Sequence, residues 1–147
     1  MSETSAPKSP IKTIVVGYDD TEPAKRALGR AAELAKAFGA GIVVTSVARP
    51  LALSNRGVGP VDPADPPSLH REELERAGHE LSELGLEAEL EVAFGPPAER
   101  IVALAERRHA DLIVVGTREP DLLERLFGLS VSDAVEHRAH CDVLIVH

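Results

Sequence analysis

Apolar residues in this chain fall into short, largely β-branched runs, separated by longer stretches in which they recur at helical spacing. Residues 11–18, 42–47, 112–115 and 142–147 are runs of the first kind. Unbroken apolar segments of this length predict strands buried on both faces. Residues 87–94 differ, because Glu87, Glu89 and Glu91 alternate with Ala88, Leu90 and Val92. Strict alternation predicts a half-exposed strand, and a row of glutamates discourages further pairing, so this strand belongs at a sheet edge.

Between the strands the spacing turns helical. Ala24, Ala27, Leu28, Ala31, Ala35 and Phe38 share one face of a helix that Thr21 caps, Glu22 and Pro23 open, and Gly39 and Gly41 end. Residues 69–84 form a polar helix with Leu74, Ala77, Leu81 and Leu84 turned inward. Gly95-Pro96-Pro97 leads into a helix over 98–109 that buries Ile101, Val102, Leu104 and Ala105. Arg107, Arg108 and His109 at its carboxyl end complement the helix dipole. Ser130, with Asp133 three residues on, has the capping-box pattern that opens a last helix. Residues 49–68 carry Pro50, Pro60, Pro63, Pro66 and Pro67 and predict a long mobile loop. Residues 1–10, polar and proline-containing, predict a disordered lead-in.

Strands alternating with helices call for a parallel sheet covered on both faces. Right-handed crossovers with one reversal give an α/β, three-layer, doubly wound, five-stranded parallel sheet in the order 3-2-1-4-5. Residues 11–147 then make a single domain. The first and fourth strands become neighbours at the switch point, where α/β folds bind ligands beyond the carboxyl ends of the strands. Gly17, Tyr18 and Asp19 emerge there from one strand, and Gly116, Thr117 and Arg118 from the other. A glycine-ended strand leading to a capped helix supplies free backbone N–H groups that attract phosphate.

Composition narrows the partners. The 147 residues, 44% apolar, suit one core, and a formal charge of −8 repels nucleic acid and anionic membrane. The aromatics Tyr18, Phe38, Phe94 and Phe127 offer no stacking platform for single strands. Cys141 is the lone cysteine, so no internal disulfide forms and a reducing compartment fits. With no membrane-length apolar run and no signal-peptide core, the expectation is a soluble cytoplasmic domain.

Catalytic motifs are scarce. The P-loop, the dinucleotide G-x-G-x-x-G, the G-x-S-x-G elbow and H-E-x-x-H are all missing, and no nucleophile is paired with a base. Asp19-Asp20 reads as a ligand-facing acid followed by an ordinary helix-start acid. His137, His140 and Cys141 are too few for a metal centre, and the histidines complement a helix end. Arg118 is either a phosphate clamp or a solvated loop residue. The glutamates over 72–83 form a solvated face.

Three stretches carry a family resemblance: VVGYDDTEPAKRAL, GPPAERIVALAERRHADLIVVGT and SVSDAVEHRAHCDVLIV. They resemble the universal stress protein family from Lys12 to His147. The resemblance implies the fold above, a homodimer and, for one branch, ATP or AMP at the switch point, with Mg²⁺ if the ligand is a triphosphate. That branch carries G-x2-G-x9-G-[S/T] after the fourth strand. Counted from Gly116, Glu119 and Leu129 stand where glycines belong, Gly128 lies one place early, and Ser130 matches. The resemblance further implies Asp19 at the base or ribose, Val47 beside the adenine, and Ser130, Val131 and Ser132 at the phosphates, while Gly17, Gly116, Thr117 and Arg118 complete the candidate cofactor-binding set at the switch point. Two like charges about 4 Å apart cost roughly 4 kcal/mol at an effective dielectric near 20. Micromolar binding amounts to about 8 kcal/mol in total. A carboxylate at 119 therefore opposes a triphosphate, and Leu129 adds a side chain where the branch has bare backbone.

The last strand carries Val143, Leu144, Ile145 and Val146 on what the topology makes an open edge. Pairing that edge with itself across a two-fold axis would close it and form a homodimer. Three functions follow as expectations. The first is a dimeric stress-response sensor that binds an adenine nucleotide. The second is a nucleotide-independent stress protein that holds a protein client, and the third is a small enzyme capable at most of slow ATP hydrolysis.

Overall fold

The computed structural model describes residues 10–50, 53–54, 57–58, 60–117 and 131–147. Arg118, Glu119, Gly128, Leu129 and Ser130 lie outside these, as do residues 1–9 of the lead-in. The elements run β1 (Thr13–Gly17), α1 (Glu22–Phe38), β2 (Gly41–Ala48), β3 (Leu53–Ser54), β4 (Gly57–Val58), α2 (Pro67–Glu83), β5 (Ala88–Phe94), α3 (Pro97–Arg107), β6 (Leu112–Gly116), α4 (Val131–Arg138) and β7 (Asp142–Val146). Five strands form one sheet in the order β5-β2-β1-β6-β7, every pair parallel. This is the doubly wound order expected from the pattern, with the glutamate-bearing strand at one edge.

Helices cover both faces because residues of both parities along the central strands are apolar. Ile14 and Val16 pack with Ala27, Leu28 and Ala31 of α1 and Leu74 and Leu81 of α2. Val15, Val43 and Ile113 pack on the other face against Ile101, Val102 and Ala105 of α3 and Val135 of α4. Each fully buried Val, Ile or Leu contributes about 1.5–3 kcal/mol, so these two clusters are the main source of stability. α1 starts where Thr21 accepts from the Ala24 amide and stops where Gly39, at φ 65°, turns left-handed and returns its N–H to Ala35.

At the edges the periodicity overreaches. Phe38 and Leu84, both expected inward, are 54% and 46% exposed. Each stands at the end of its helix, past the last strand that could cover it. Leu90 is also exposed, but its side chain lies along Gly78 of α2, where an added Cβ would sit 3.0 Å from it. The arginines at the end of α3 do more than complement a dipole. Arg107 pairs with Glu91 and Arg108 with Glu89, so the strand's carboxylates are neutralised from the neighbouring helix. α2 begins at Pro67, two residues before the predicted start. Ahead of it, Pro50 bridges Val61 and β3 pairs with β4, antiparallel in each case.

Two contacts fix the start of α1 at the carboxyl end of the sheet. A Cβ on Gly116 would lie 2.5 Å from the Pro23 carbonyl carbon and 2.8 Å from the Ala24 nitrogen. Only a bare backbone lets β6 pass the first turn of α1 this closely. Just after β1, Asp20 takes φ 62° and its carboxylate accepts from Tyr18 Oη and Arg76 Nη2, both at 2.9 Å. That clamp ties the β1–α1 turn to α2. Burial opposes ionisation of Asp20, but Tyr18 and Arg76 outweigh it and hold the carboxyl below its ordinary 3.8. Burial, then the Asp20 carboxylate, push the Tyr18 phenol upward, so it stays neutral and donating.

Gly116→Ala should therefore cost about 1–3 kcal/mol, read as a lower urea midpoint with an unchanged m-value. An unchanged midpoint would show that the approach to Pro23 is not tight. Because the Asp20 carboxyl is depressed in the fold, its contribution is complete above the ordinary value and is lost as pH falls through the folded one. Stability should thus fall below about pH 4, and Asp20→Asn should flatten that acid limb in denaturation curves at stepped pH.

Candidate functional site

A cleft of about 620 Å³ opens over the carboxyl ends of β2, β1 and β6. Of the residues predicted for a site, Gly17, Asp19, Val47, Gly116, Thr117, Val131 and Ser132 all line it. Arg118 and Ser130 lie outside the described residues. Gly17 lets Ile101 and Val115 pack close over the end of β1 at the floor, since a Cβ there would meet Ile101 at 2.9 Å and Val115 at 3.2 Å. Asp19 Oδ1 accepts from the Thr21 amide at 3.2 Å and hydroxyl at 2.5 Å, which fixes the carboxylate at the lip of the cleft. Thr117 is committed to the sheet. Its amide and its hydroxyl both donate to the Val146 carbonyl, at 2.7 and 2.9 Å, so it anchors β6 to β7.

The far wall is built by residues that the hydrophobic pattern does not single out. His70, 7% exposed, opens α2 against the end of β2. Its Nδ1 lies 2.6 Å from Ser46 Oγ, and its Nε2 lies 2.6 Å from Asp65 Oδ1. Ser46 donates to Glu73 at 3.0 Å, and the Arg49 amide donates to Asp65 at 2.9 Å. Burial disfavours the Asp65 anion, but the Arg49 amide and His70 overcome this and hold the carboxyl below its ordinary 3.8. The network staples the segment before α2 to β2. A serine, a histidine and an aspartate in hydrogen-bonded sequence suggest nucleophilic chemistry. Ser46, however, does not line the cleft and its hydroxyl is committed to His70 and Glu73, so it meets no substrate.

The one sequence clue to this wall is Thr45-Ser46, two hydroxyls inside an otherwise apolar strand. Ser46 spends its hydroxyl on His70 and Glu73. Thr45 points to the opposite face and lines the cleft, and its Oγ1 is buried with no hydrogen-bond partner among the described residues. A buried hydroxyl left unpaired costs about 1–3 kcal/mol. Charge in the cleft is one-sided. Asp19, Asp62, Asp65 and Glu73 line it, against Arg49 as the described cation.

Other predicted residues lie elsewhere. Val143 and Ile145 of β7 face the α3–α4 cluster, while Leu144 and Val146 face α1; all four are half-buried. His140 Nε2 stands 3.4 Å from Glu106, and burial pushes the Cys141 thiol upward. No group of three His, Cys, Asp or Glu among the described residues is arranged to hold a metal ion. No helix among them is long and apolar enough to cross a membrane.

Comparison with known proteins agrees with this architecture. The model of the universal stress protein family matches residues 10–147. A universal stress protein of Methanocaldococcus jannaschii, MJ0531, is 33% identical over 92% of this chain and 81% of its own length. Universal stress protein Rv1636 of Mycobacterium tuberculosis is 32% identical over 95% of this chain and 98% of its own. Among solved structures, a universal stress protein in complex with cAMP superposes with a TM-score of 0.73 at 30% identity, over 95% of this chain and 98% of that one. With a five-stranded parallel sheet, a cleft at its switch point and a family match over nearly its whole length, this chain belongs to the universal stress protein family.

Proposed function

We propose that the switch-point cleft takes an adenine mononucleotide and that the protein acts as a ligand-responsive stress regulator. The observation that carries this reading is the single cleft shared by Gly17, Asp19, Val47, Gly116, Val131 and Ser132. Its volume falls within the roughly 300–1,000 Å³ of small-molecule sites. Thr45 offers an unspent hydroxyl on its wall. A relative at 30% identity was crystallised with cAMP, which favours the same ligand class here. In the proposed pose, Asp19 and Val47 hold the nucleoside, and the start of α4 at Val131 and Ser132 receives the phosphate. When bound, the nucleotide supplies a switch rather than a reacting group, and none of the described residues around it forms an exposed nucleophile–base pair.

The monophosphate is favoured over ATP by charge. Four carboxylates against one described arginine resist a polyanion, and Glu119 and Leu129 replace the two glycines of the ATP-binding branch. ATP would need Mg²⁺ to offset that field. If no adenine compound binds, the protein is instead a nucleotide-independent partner for a protein client.

Self-association completes the reading. Among the described residues β7 pairs only with β6, which leaves its outer edge along Val143, Leu144, Ile145 and Val146 without a strand partner there. We place the seam of a homodimer there, since an open apolar edge otherwise invites aggregation. The lone Cys141 thiol suits a reducing cytoplasm.

Titration calorimetry should give AMP and cAMP micromolar affinity, with ATP at least tenfold weaker (about 1.4 kcal/mol) in the absence of Mg²⁺. Glu119→Gly with Leu129→Gly should restore ATP affinity. ATP binding tighter than AMP without Mg²⁺ would contradict the charge argument. Sedimentation at micromolar concentration should show a dimer, and a monomer there would remove the β7 seam.

A further inference from the structure

Thr45 holds a position where the fold asks for a hydrocarbon. It occupies the row of β2 that also carries Val43 and Val47, facing the cluster of Ile101, Val102 and Val115. It is 1% exposed, its Oγ1 has no hydrogen-bond partner among the described residues, and it lines the cleft. Folded proteins satisfy the large majority of buried side-chain polar atoms. Valine has the same shape and would carry no such penalty. A buried hydroxyl that weakens the fold, on a residue that lines a cavity, is suited to a polar atom that arrives from outside the chain.

We propose that Thr45 Oγ1 is a ligand contact that reads the nucleoside part of the bound molecule, not its phosphate. This rests on the mononucleotide reading and adds a specificity residue to it. The sheet supplies the ruler. Thr45 sits level with Gly17 of β1, and β1 separates β2 from β6. Strands lie about 4.8 Å apart, so β2 and β6 are about 10 Å apart. That is close to the reach of a mononucleotide from phosphate to base. A phosphate received at α4, beyond β6, leaves the base or ribose over β1 and β2. The chemistry around Thr45 agrees. Val47 and Ile101 offer apolar contact to a ring, while Asp65 and Glu73, which line the cleft from the Ser46 face of β2, repel phosphate. A single neutral hydroxyl that donates or accepts one hydrogen bond fits a base nitrogen or a ribose hydroxyl.

The test pairs affinity with stability in Thr45→Val and Thr45→Ser, using adenosine and AMP as probes. Thr45→Val should weaken both by the same factor, about five- to tenfold, while raising the melting temperature of the free protein by about 2–6 °C. Thr45→Ser keeps the hydroxyl and should bind both within twofold of the parent. Unchanged affinity in Thr45→Val, with the parent binding normally, would overturn the contact and leave the mononucleotide reading standing; the hydroxyl would then serve a buried water. Loss of AMP but not adenosine would also overturn it, by placing the contact at the phosphate. If the parent binds neither probe, the mononucleotide reading fails and this assignment falls with it.

Discussion

The site depends on how closely two pieces of backbone can approach. Gly116 ends β6 against the Pro23 carbonyl of α1, at a separation no Cβ could occupy. That contact draws the start of α1, with the Asp19 turn ahead of it, onto the end of β6. The crevice at the topological switch is therefore narrow and fixed, not merely a gap between diverging loops. Gly17 plays the complementary part, letting the Ile101 and Val115 side chains close over the end of β1. Both glycines matter for the room they leave; neither has a positive φ.

Polar groups around the cleft obey a different economy from the two apolar clusters beneath it. The aliphatic side chains of the core make no hydrogen bonds and stabilise through buried area. At the rim, Asp20 links Tyr18 to Arg76, and Asp65 links Arg49 to His70 and Ser46. These contacts join segments that the hydrophobic layers do not reach: the β1–α1 turn and the approach to α2. Thr45 is the exception, a hydroxyl that the fold itself does not use. Departures from local consistency of this kind collect at functional sites. Two hydroxyls side by side in β2 thus divide the work, one holding the wall and the other facing the ligand.

The architecture was legible because it follows from periodicity. Unbroken apolar runs marked the central strands, the Glu87–Glu89–Glu91 alternation marked the edge, and together they led to the observed strand order. Individual positions at helix ends were not legible. Phe38 and Leu84 sit on the right helical stripe, but coverage depends on where the neighbouring layer stops. The far wall was hidden for another reason. His70 and Asp65 are five residues apart in a polar, proline-rich stretch, and nothing local says that Ser46, 24 residues before His70, lies between them and Glu73. Seven of the predicted site residues meet in one cleft because they lie at strand ends or, for Val131 and Ser132, at the start of α4, where topology decides proximity.

The most direct measurement is an amide NMR titration of the protein with AMP. Shifts should concentrate on Gly17, Asp19, Thr45, Val47 and Gly116, the ends of the three strands that floor the crevice. Shifts confined to another surface, such as the groove between the carboxyl ends of α3 and α4, or no saturable shifts at millimolar AMP, would contradict a nucleotide site at the switch point.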